Sequence, residues 1–409
     1  MNPLNLVGVF VAMLVALLSV IFVHPGIVRF AINRQIVDNP DARKLQRNPV
    51  PVMGGVAVFV GLVVGLCALE LYNAIVPRLI NILACESTFV PMDVVPLLPV
   101  FLGMSIMLVV GVTDDVSGLS PRVRFAIEIA VTLMLMLWTD KLLNDFQGLW
   151  GVEVLPTWFA VPLTVVAVVG IINAINLVDG VDGLSSGFCI MASLAFAVLF
   201  SYSGNLLMLL LCALTVGSLL PFFFHNVFGQ KSKMFIGDGG SLMMGVVMAS
   251  YVVMAAVDGG DGESFVEKGF GVVPFTFAVM CVPVFDAMRV MVMRIIRGIS
   301  PFSPDKTHLH HLFIELGFSH FGTTVSELLL NTIVVLTWFA SYKLGASINA
   351  QFYIVIGVGL LLTAGFYKFM KIQQKYDTAL LRLMKRIGQA THFEDYKVWK
   401  VVQKIVDCK

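Results

Sequence analysis

Between Asn173 and Leu184 the chain reads NAINLVDGVDGL, placing two amides (Asn173, Asn176) and two carboxylates (Asp179, Asp182) directly after the apolar run Trp158 to Ile172. Carboxylate and amide oxygens suit a hard cation such as Mg²⁺, and Gly180 and Gly183 let a backbone approach a phosphate closely. A helix cap followed by a turn would account for one such residue, not four in so short a stretch. Three further stretches carry comparable chemistry. In GVTDDVSGLSPRVRF (111–125) the adjacent carboxylates of Asp114 and Asp115 repel, which calls for a cation, a basic partner or a raised pKa in one of them. Arg122 and Arg124 follow, with Glu128 one turn beyond, a set suited to proton abstraction beside a bound phosphate.

In HNVFGQKSKMFIGDGGSLMMG (225–245), Asp238 stands among glycines at the head of an apolar run, where a helix N-terminus receives anions and a carboxylate can hold a cation against them. Phe235, three residues earlier, is placed to stack on a planar base. In RIIRGISPFSPDKTHLHHLFIELGF (294–318), His308, His310 and His311 lie near Asp305, Arg294, Arg297 and Lys306. Phosphate contact, a metal site and structural histidines all fit this cluster; the basic neighbours and the lack of a second His/Cys cluster favour phosphate. Asp286 and Arg289, spaced i,i+3, read as a helix-end ion pair that places the following loop.

The elements that hold these stretches follow from composition. The chain is 58% hydrophobic and 13% charged, with a mean hydropathy of +0.90. A water-soluble surface is too polar and charged for that balance, so the chain must lie in a bilayer. Runs of roughly 20 apolar residues occur near 4–30, 53–74, 95–113, 122–140, 158–175, 184–203, 205–224, 240–257, 270–291, 323–342 and 347–368. The expected fold is all-α and polytopic, with about eleven transmembrane helices. The first run is too long for a signal sequence and its positive charges follow it, so it reads as a retained span. With the N-terminus outside, only Arg78, Lys141, Lys268 and Lys343 of the 27 Lys and Arg fall on the outer side, which sets the orientation and leaves the C-terminus cytoplasmic.

Every stretch described above then faces the cytoplasm, as does the basic, proline-interrupted loop VDNPDARKLQRNPVPVMGG (37–55). The outer acids Asp258, Asp261 and Glu263 lack bases and aromatics and read as solvated turn residues. The six cysteines show no metal-ligand spacing. Residues 1–368 read as one multi-span catalytic domain and 369–409 as a cytoplasmic tail. Ile372, Tyr376, Ala379, Leu383 and Ile387 give that tail an amphipathic helix suited to an anionic leaflet, with a homodimer contact as the alternative. No nucleic-acid partner is expected. A transporter would carry its ionisable residues near the middle of the spans, and a substrate binder without catalysis would not need both carboxylate groups.

In order along the chain, DNPDARK…PVPVMGG, TDDVSGL, NAINLVDGVDGL, FIGDGGS and SPFSPDKTHLHH resemble the bacterial polyprenyl-phosphate N-acetylhexosamine-1-phosphate transferases over almost the whole length. The resemblance implies an inner-membrane enzyme that moves a sugar 1-phosphate from a UDP-sugar to undecaprenyl phosphate, releasing UMP and starting a surface glycan. It implies Mg²⁺, with Mn²⁺ as a substitute, held by Asp238 with Asn176 assisting. It implies nucleotide contacts from Phe235, Asp182 and Asn173, and pyrophosphate or sugar contacts from Arg124, His308, His310 and His311. Asp114 and Asp115 match the essential catalytic pair, one of them deprotonating or orienting the lipid phosphate, and Asp179 stands beside them as a catalytic candidate without an assigned role. Direct in-line attack is favoured over an aspartyl intermediate. The chain departs from the family pattern at Val52 and Gln46, which bears on first-loop contacts. It also lacks the threonine-rich first loop of the muramoyl-pentapeptide branch, which favours UDP-GlcNAc as donor.

Overall fold

A computed structural model of the chain describes residues 2–38, 49–82, 89–152, 154–257, 265–300 and 306–407. Part of the first loop (39–48), the DGGDGE acids and Asp305 lie outside these residues. The apolar runs fold as helices because a chain in hydrocarbon must satisfy its own backbone hydrogen bonds. In order they are α1 (Pro3–Asn33), α2 (Gly54–Ile82), α3 (Leu98–Ser117), α4 (Pro121–Thr139), α5 (Thr157–Val178), α6 (Leu184–Ser203), α7 (Leu206–Phe228) and α8 (Gly237–Val257). There follow α9 (Val272–Val279), α10 (Cys281–Ile296), α11 (Leu309–Glu315), α12 (His320–Lys343), α13 (Ile348–Leu360), α14 (Phe366–Tyr376), α15 (Ala379–Ala390) and α16 (Lys397–Asp407). Strands β1 (Val37–Asp38) and β2 (Val50–Pro51) pair antiparallel across the first loop.

The protein is an all-α polytopic membrane protein. Among the described residues nine helical segments are long and apolar enough to cross a membrane, α13 and α14 counting as one through a π-turn at Leu361–Gly365. Two of the eleven expected spans differ in kind. The run 122–140 is the 19-residue α4, whose first turns carry Arg122, Arg124 and Glu128. The run 270–291 is broken into α9 and α10, which meet at 72°. Pro283 explains the break, since it has no N–H and its ring crowds the carbonyl four residues back, that of Val279. Asn331 of α12 fills the gap: its Nδ2 donates to the Val279 carbonyl at 2.9 Å, and its Oδ1 accepts from Val282 N at 2.9 Å. The groups freed by the kink are thereby paired inside the bundle.

Helix α8 is the central one, with 78% of its most apolar window buried. It packs against α2, α3, α5, α6 and α9, while α1, α2 and α7 form a group beside it. The tail departs from the single amphipathic helix expected of it. Asp377 adopts a left-handed conformation and Thr378 caps a new helix by accepting from Leu381 N at 3.2 Å, so α14 and α15 are separate. Leu383 and Ile387 of α15 are exposed, while Leu381 and Gly388 pack into the protein.

Candidate active site

The site is built around the start of α8. Gly237 has φ 72°, a region that favours glycine, and a Cβ there would come within 2.6 Å of Asp115 Oδ2. The 51–55 segment runs beside it through backbone bonds: Phe235 N donates to Pro51 O at 2.8 Å, Gly54 N to Phe235 O at 2.9 Å and Gly55 N to Ile236 O at 2.8 Å. Gly55 faces the Gly240 backbone and Gly111 of α3 faces the Asp238 backbone, with no side chain between. This close approach brings the end of α3 onto the start of α8. The Asp115 carboxylate accepts from Asp238 N at 3.2 Å and Gly239 N at 3.5 Å, satisfying helix-start donors from a neighbouring helix.

The last turn of α5 supplies Asn176, whose Nδ2 donates to Asp238 Oδ1 at 2.8 Å and to Ser241 Oγ at 2.9 Å. Helix α5 ends at Val178, and the short turn to α6 carries Asp179 and Asp182. No hydrogen bond from a described residue reaches the Asp179 carboxylate. Burial, with Asp238, Asp115 and Asp182 around it, pushes its pKa well above the usual carboxylate range. Asp182 sits differently. Its Oδ2 meets Lys233 Nζ at 2.6 Å and His320 Nδ1 at 2.7 Å. Burial pushes Asp182 upward, but the hydrogen bonds and charges of His320 and Lys233 outweigh it and hold the carboxyl below its ordinary value. Its Oδ1 is buried with no protein partner among the described residues. Asn226 ties the two loops together, accepting from Gly183 N at 2.6 Å and donating to Met234 O at 2.9 Å.

These elements enclose a cavity of about 390 Å³, in the size range of small-molecule sites. Of the residues predicted from sequence, Asp115, Asp179, Asp182, Phe235, Asp238 and His311 line it. The others stand behind the wall. Asp114 accepts from Leu119 N at 2.6 Å and pairs with Arg124 at 3.3 Å, and Arg124 reaches Glu128 at 3.5 Å. Asn173 turns away from the cavity and donates to Glu128 Oε2 at 2.5 Å and to Val169 O at 2.9 Å. His308 Nδ1 lies 2.9 Å from Asp286 Oδ2, and Arg289 joins Asp286 at 2.6 Å and the Thr307 carbonyl at 2.5 Å. The expected Asp286–Arg289 pair does place the following loop.

His310 packs against Gly180, where a Cβ would come within 2.6 Å of its Nε2. Burial, with His311 and His308 beside it, lowers its pKa to about 3, so it is neutral at ordinary pH. Asp38, Asn226 and His320 also line the cavity, and Lys233 bonds to its Asp182; none of these was singled out as a site residue. Lys233 was visible in the sequence only as a membrane-flanking charge. His320, at the head of an apolar span, carried no pattern that pointed to Asp182.

The carboxylates of Asp115, Asp179 and Asp238 make the wall an oxygen-donor surface, the chemistry that Mg²⁺ prefers. Among the described residues no three His, Cys, Asp or Glu converge as a ready-made metal cage. That still fits Mg²⁺, which keeps several waters and binds through one or two carboxylates plus substrate phosphates.

Residues 97–256, from α3 to α8, match a family model described as Glycosyl transferase family 4. The match holds Asp115, Asp179, Asp182 and Asp238 of the cavity wall. The "Probable undecaprenyl-phosphate N-acetylglucosaminyl 1-phosphate transferase" of Bacillus subtilis (strain 168) is 32% identical over 321 residues, covering 77% of this chain and 80% of the relative. The chain belongs to the polyprenyl-phosphate N-acetylhexosamine-1-phosphate transferase family. The "Undecaprenyl-phosphate alpha-N-acetylglucosaminyl 1-phosphate transferase" of Escherichia coli (strain K12) is 27% identical over 317 residues, 75% of this chain and 78% of its own. The Yersinia pestis protein of that name is 28% identical over 298 residues, 71% and 73% of the two chains. As a member of this transferase family the chain carries Asp115 on α3, Asp179 and Asp182 in the turn between α5 and α6, and Asp238 on α8, while Asp38, His311 and His320 reach the cavity from beyond the matched region.

Proposed function

We propose that this protein transfers GlcNAc 1-phosphate from UDP-GlcNAc to undecaprenyl phosphate, releasing UMP, at a site on the cytoplasmic face of the bacterial inner membrane. The observation that carries the reading is the convergence of Asp115, Asp179 and Asp238 on one cavity that also presents Phe235 and Asp182. The names of the relatives support the lipid acceptor and the sugar.

In the proposed reaction a phosphate oxygen of the lipid attacks the phosphorus that bears the sugar. The bond from that phosphorus to the bridging oxygen breaks, and the oxygen leaves with UMP. Phe235 offers a face for the uracil ring, and the free Oδ1 of Asp182 is an acceptor for a base N–H. Lys233 and His320 hold Asp182 in place as that acceptor. Asp179, which lines the cavity beside Asp115 and Asp238, is placed to orient the attacking lipid phosphate. Asp238, oriented by Asn176 and flanked by Asp115, would hold Mg²⁺. Bound there, the ion offsets the charge of the diphosphate and of the departing UMP. The chemistry is positioning of two anions, which needs no covalent enzyme intermediate.

The test uses purified protein with Mg²⁺, undecaprenyl phosphate and a panel of UDP-sugars. UMP release is expected with UDP-GlcNAc, only when lipid phosphate is present, together with a lipid-linked product. UMP release that never depends on lipid phosphate, with any donor, overturns the proposal.

A further inference from the structure

The segment between α7 and α8 carries both Lys233 and Phe235, and it is not held by those helices alone. A single carboxylate, Asp407 at the end of α16, gathers its backbone. Asp407 accepts from Gln230 N at 3.1 Å, Lys231 N at 3.1 Å, Ser232 N at 3.0 Å and Ser232 Oγ at 2.8 Å. Successive backbone N–H groups turned toward one anion form a nest, which fixes the conformation of the residues that supply them. Ser232 is also gripped from the other side, its carbonyl lying 2.8 Å from His24 Nε2 of α1.

The same helix reaches a second element of the site. Trp399 of α16 packs on Phe228 at 4.5 Å and on Phe321 at 5.6 Å between ring centroids. Phe228 is the last residue of α7, and Phe321 follows His320. Helix α16 therefore touches two segments that lead to Asp182: residues 230–232, just before Lys233, and Phe321, just after His320. Lys233 and His320 are the two partners of Asp182 Oδ2.

We propose that Asp407, with Trp399, is a positioning residue: α16 latches the 230–233 segment and the start of α12 so that Lys233 and His320 hold Asp182, and Phe235 stands at the nucleotide face of the cavity. Asp407 touches no substrate. The role in donor binding rests on the reaction proposed above, whereas the latch itself does not. Burial raises the Asp407 carboxyl, but the hydrogen bonds from Ser232, Gln230 and Lys231 together prevail and hold it below its ordinary value.

The experiment compares full-length wild type, Asp407→Asn, Asp407→Glu and Trp399→Ala. Amide hydrogen exchange is read at 230–233, and KM is read separately for UDP-GlcNAc and for undecaprenyl phosphate. For Asp407→Asn the expected result is faster exchange in that segment and a donor KM about tenfold higher, a loss of ~1.4 kcal/mol. The KM for lipid phosphate and kcat stay within twofold, and Asp407→Glu restores most of the donor affinity. Trp399→Ala is expected to shift the same two readouts. Unchanged exchange in Asp407→Asn, or equal change in both KM values, overturns the latch. If wild type shows no lipid-dependent turnover, the proposed reaction falls; the latch is then decided by exchange alone, upheld by faster exchange in Asp407→Asn and overturned by none.

Discussion

Two carboxylates three residues apart, Asp179 and Asp182, are driven in opposite directions by what surrounds them. Asp179 faces other carboxylates without a hydrogen bond from a described residue, and Asp182 is gripped by a lysine and a histidine. The sequence showed that both are present but not which is which, because Lys233 and His320 arrive from distant parts of the chain. The difference is measurable. Because the folded pKa of Asp182 is depressed, the stability it lends is complete above the unfolded value near about 4 and is lost as pH falls through the folded value. Wild type should therefore melt above Asp182→Asn in detergent at pH 7, with the gap closing toward pH 3; a gap independent of pH would remove the charge from the explanation. Asp238→Asn keeps the shape and an acceptor for Asn176. Loss of the anionic oxygen is expected to lower Mg²⁺-dependent turnover by at least about a hundredfold with the melting temperature nearly unchanged. Activity near that of wild type would take Asp238 out of the site. Asn173 shows the limit of residue-level reading, since the sequence places it beside Asn176 but not the direction of its amide. At three positions' separation on a helix it turns to Glu128, and Asn176 alone reaches Asp238.

At the scale of elements, most of the helices were legible because apolar runs of the right length have few alternatives in a bilayer. The broken span was not. Pro283 marks where a helix is weakened, but the break needs a partner for the freed backbone, and Asn331 lies 49 residues beyond Val282. Asn331→Leu leaves the Val279 carbonyl and the Val282 N–H unpaired inside the bundle. A loss of about 2 kcal/mol or more is expected, read as a lower melting temperature in detergent. A variant as stable as wild type would show that the kink satisfies itself. The tail was legible as amphipathic, yet its split at Asp377 and the docking of α16 depend on contacts with α7 and α12 that no periodicity encodes.

At the scale of the whole molecule, the distribution of Lys and Arg in the sequence predicts a cytoplasmic position for the cavity end of the bundle. The structure gathers the polar clusters at one end of the bundle, as that reading requires, while the side of the membrane is settled by labelling. A cysteine at the exposed position 385 (Lys385→Cys) should react with a membrane-impermeant thiol reagent in inside-out vesicles and stay protected in intact cells. Labelling in intact cells would reverse the topology. The one-sidedness was readable because each chemical cluster follows or precedes a span; the depth and walls of the cavity were not, being set by how closely helices approach.

That closeness divides the glycines of this chain into two populations. Glycine-rich stretches such as MGG and GDGG invite reading as phosphate cradles, but here Gly55 and Gly111 are spaces that a neighbouring backbone already fills. A saturation mutagenesis map of the chain should therefore show near-zero tolerance at positions 55 and 111 even to alanine, whose methyl would force α2 or α3 off α8 at a cost of about 1–3 kcal/mol or more. Gly170, on α5 with open space around it, should instead accept alanine and gain up to about 1 kcal/mol of helix stability. If alanine were accepted equally at all three, the tight seating of α8 would not be what these positions protect. As the geometry stands, what these two glycines record is the thickness of a polypeptide backbone.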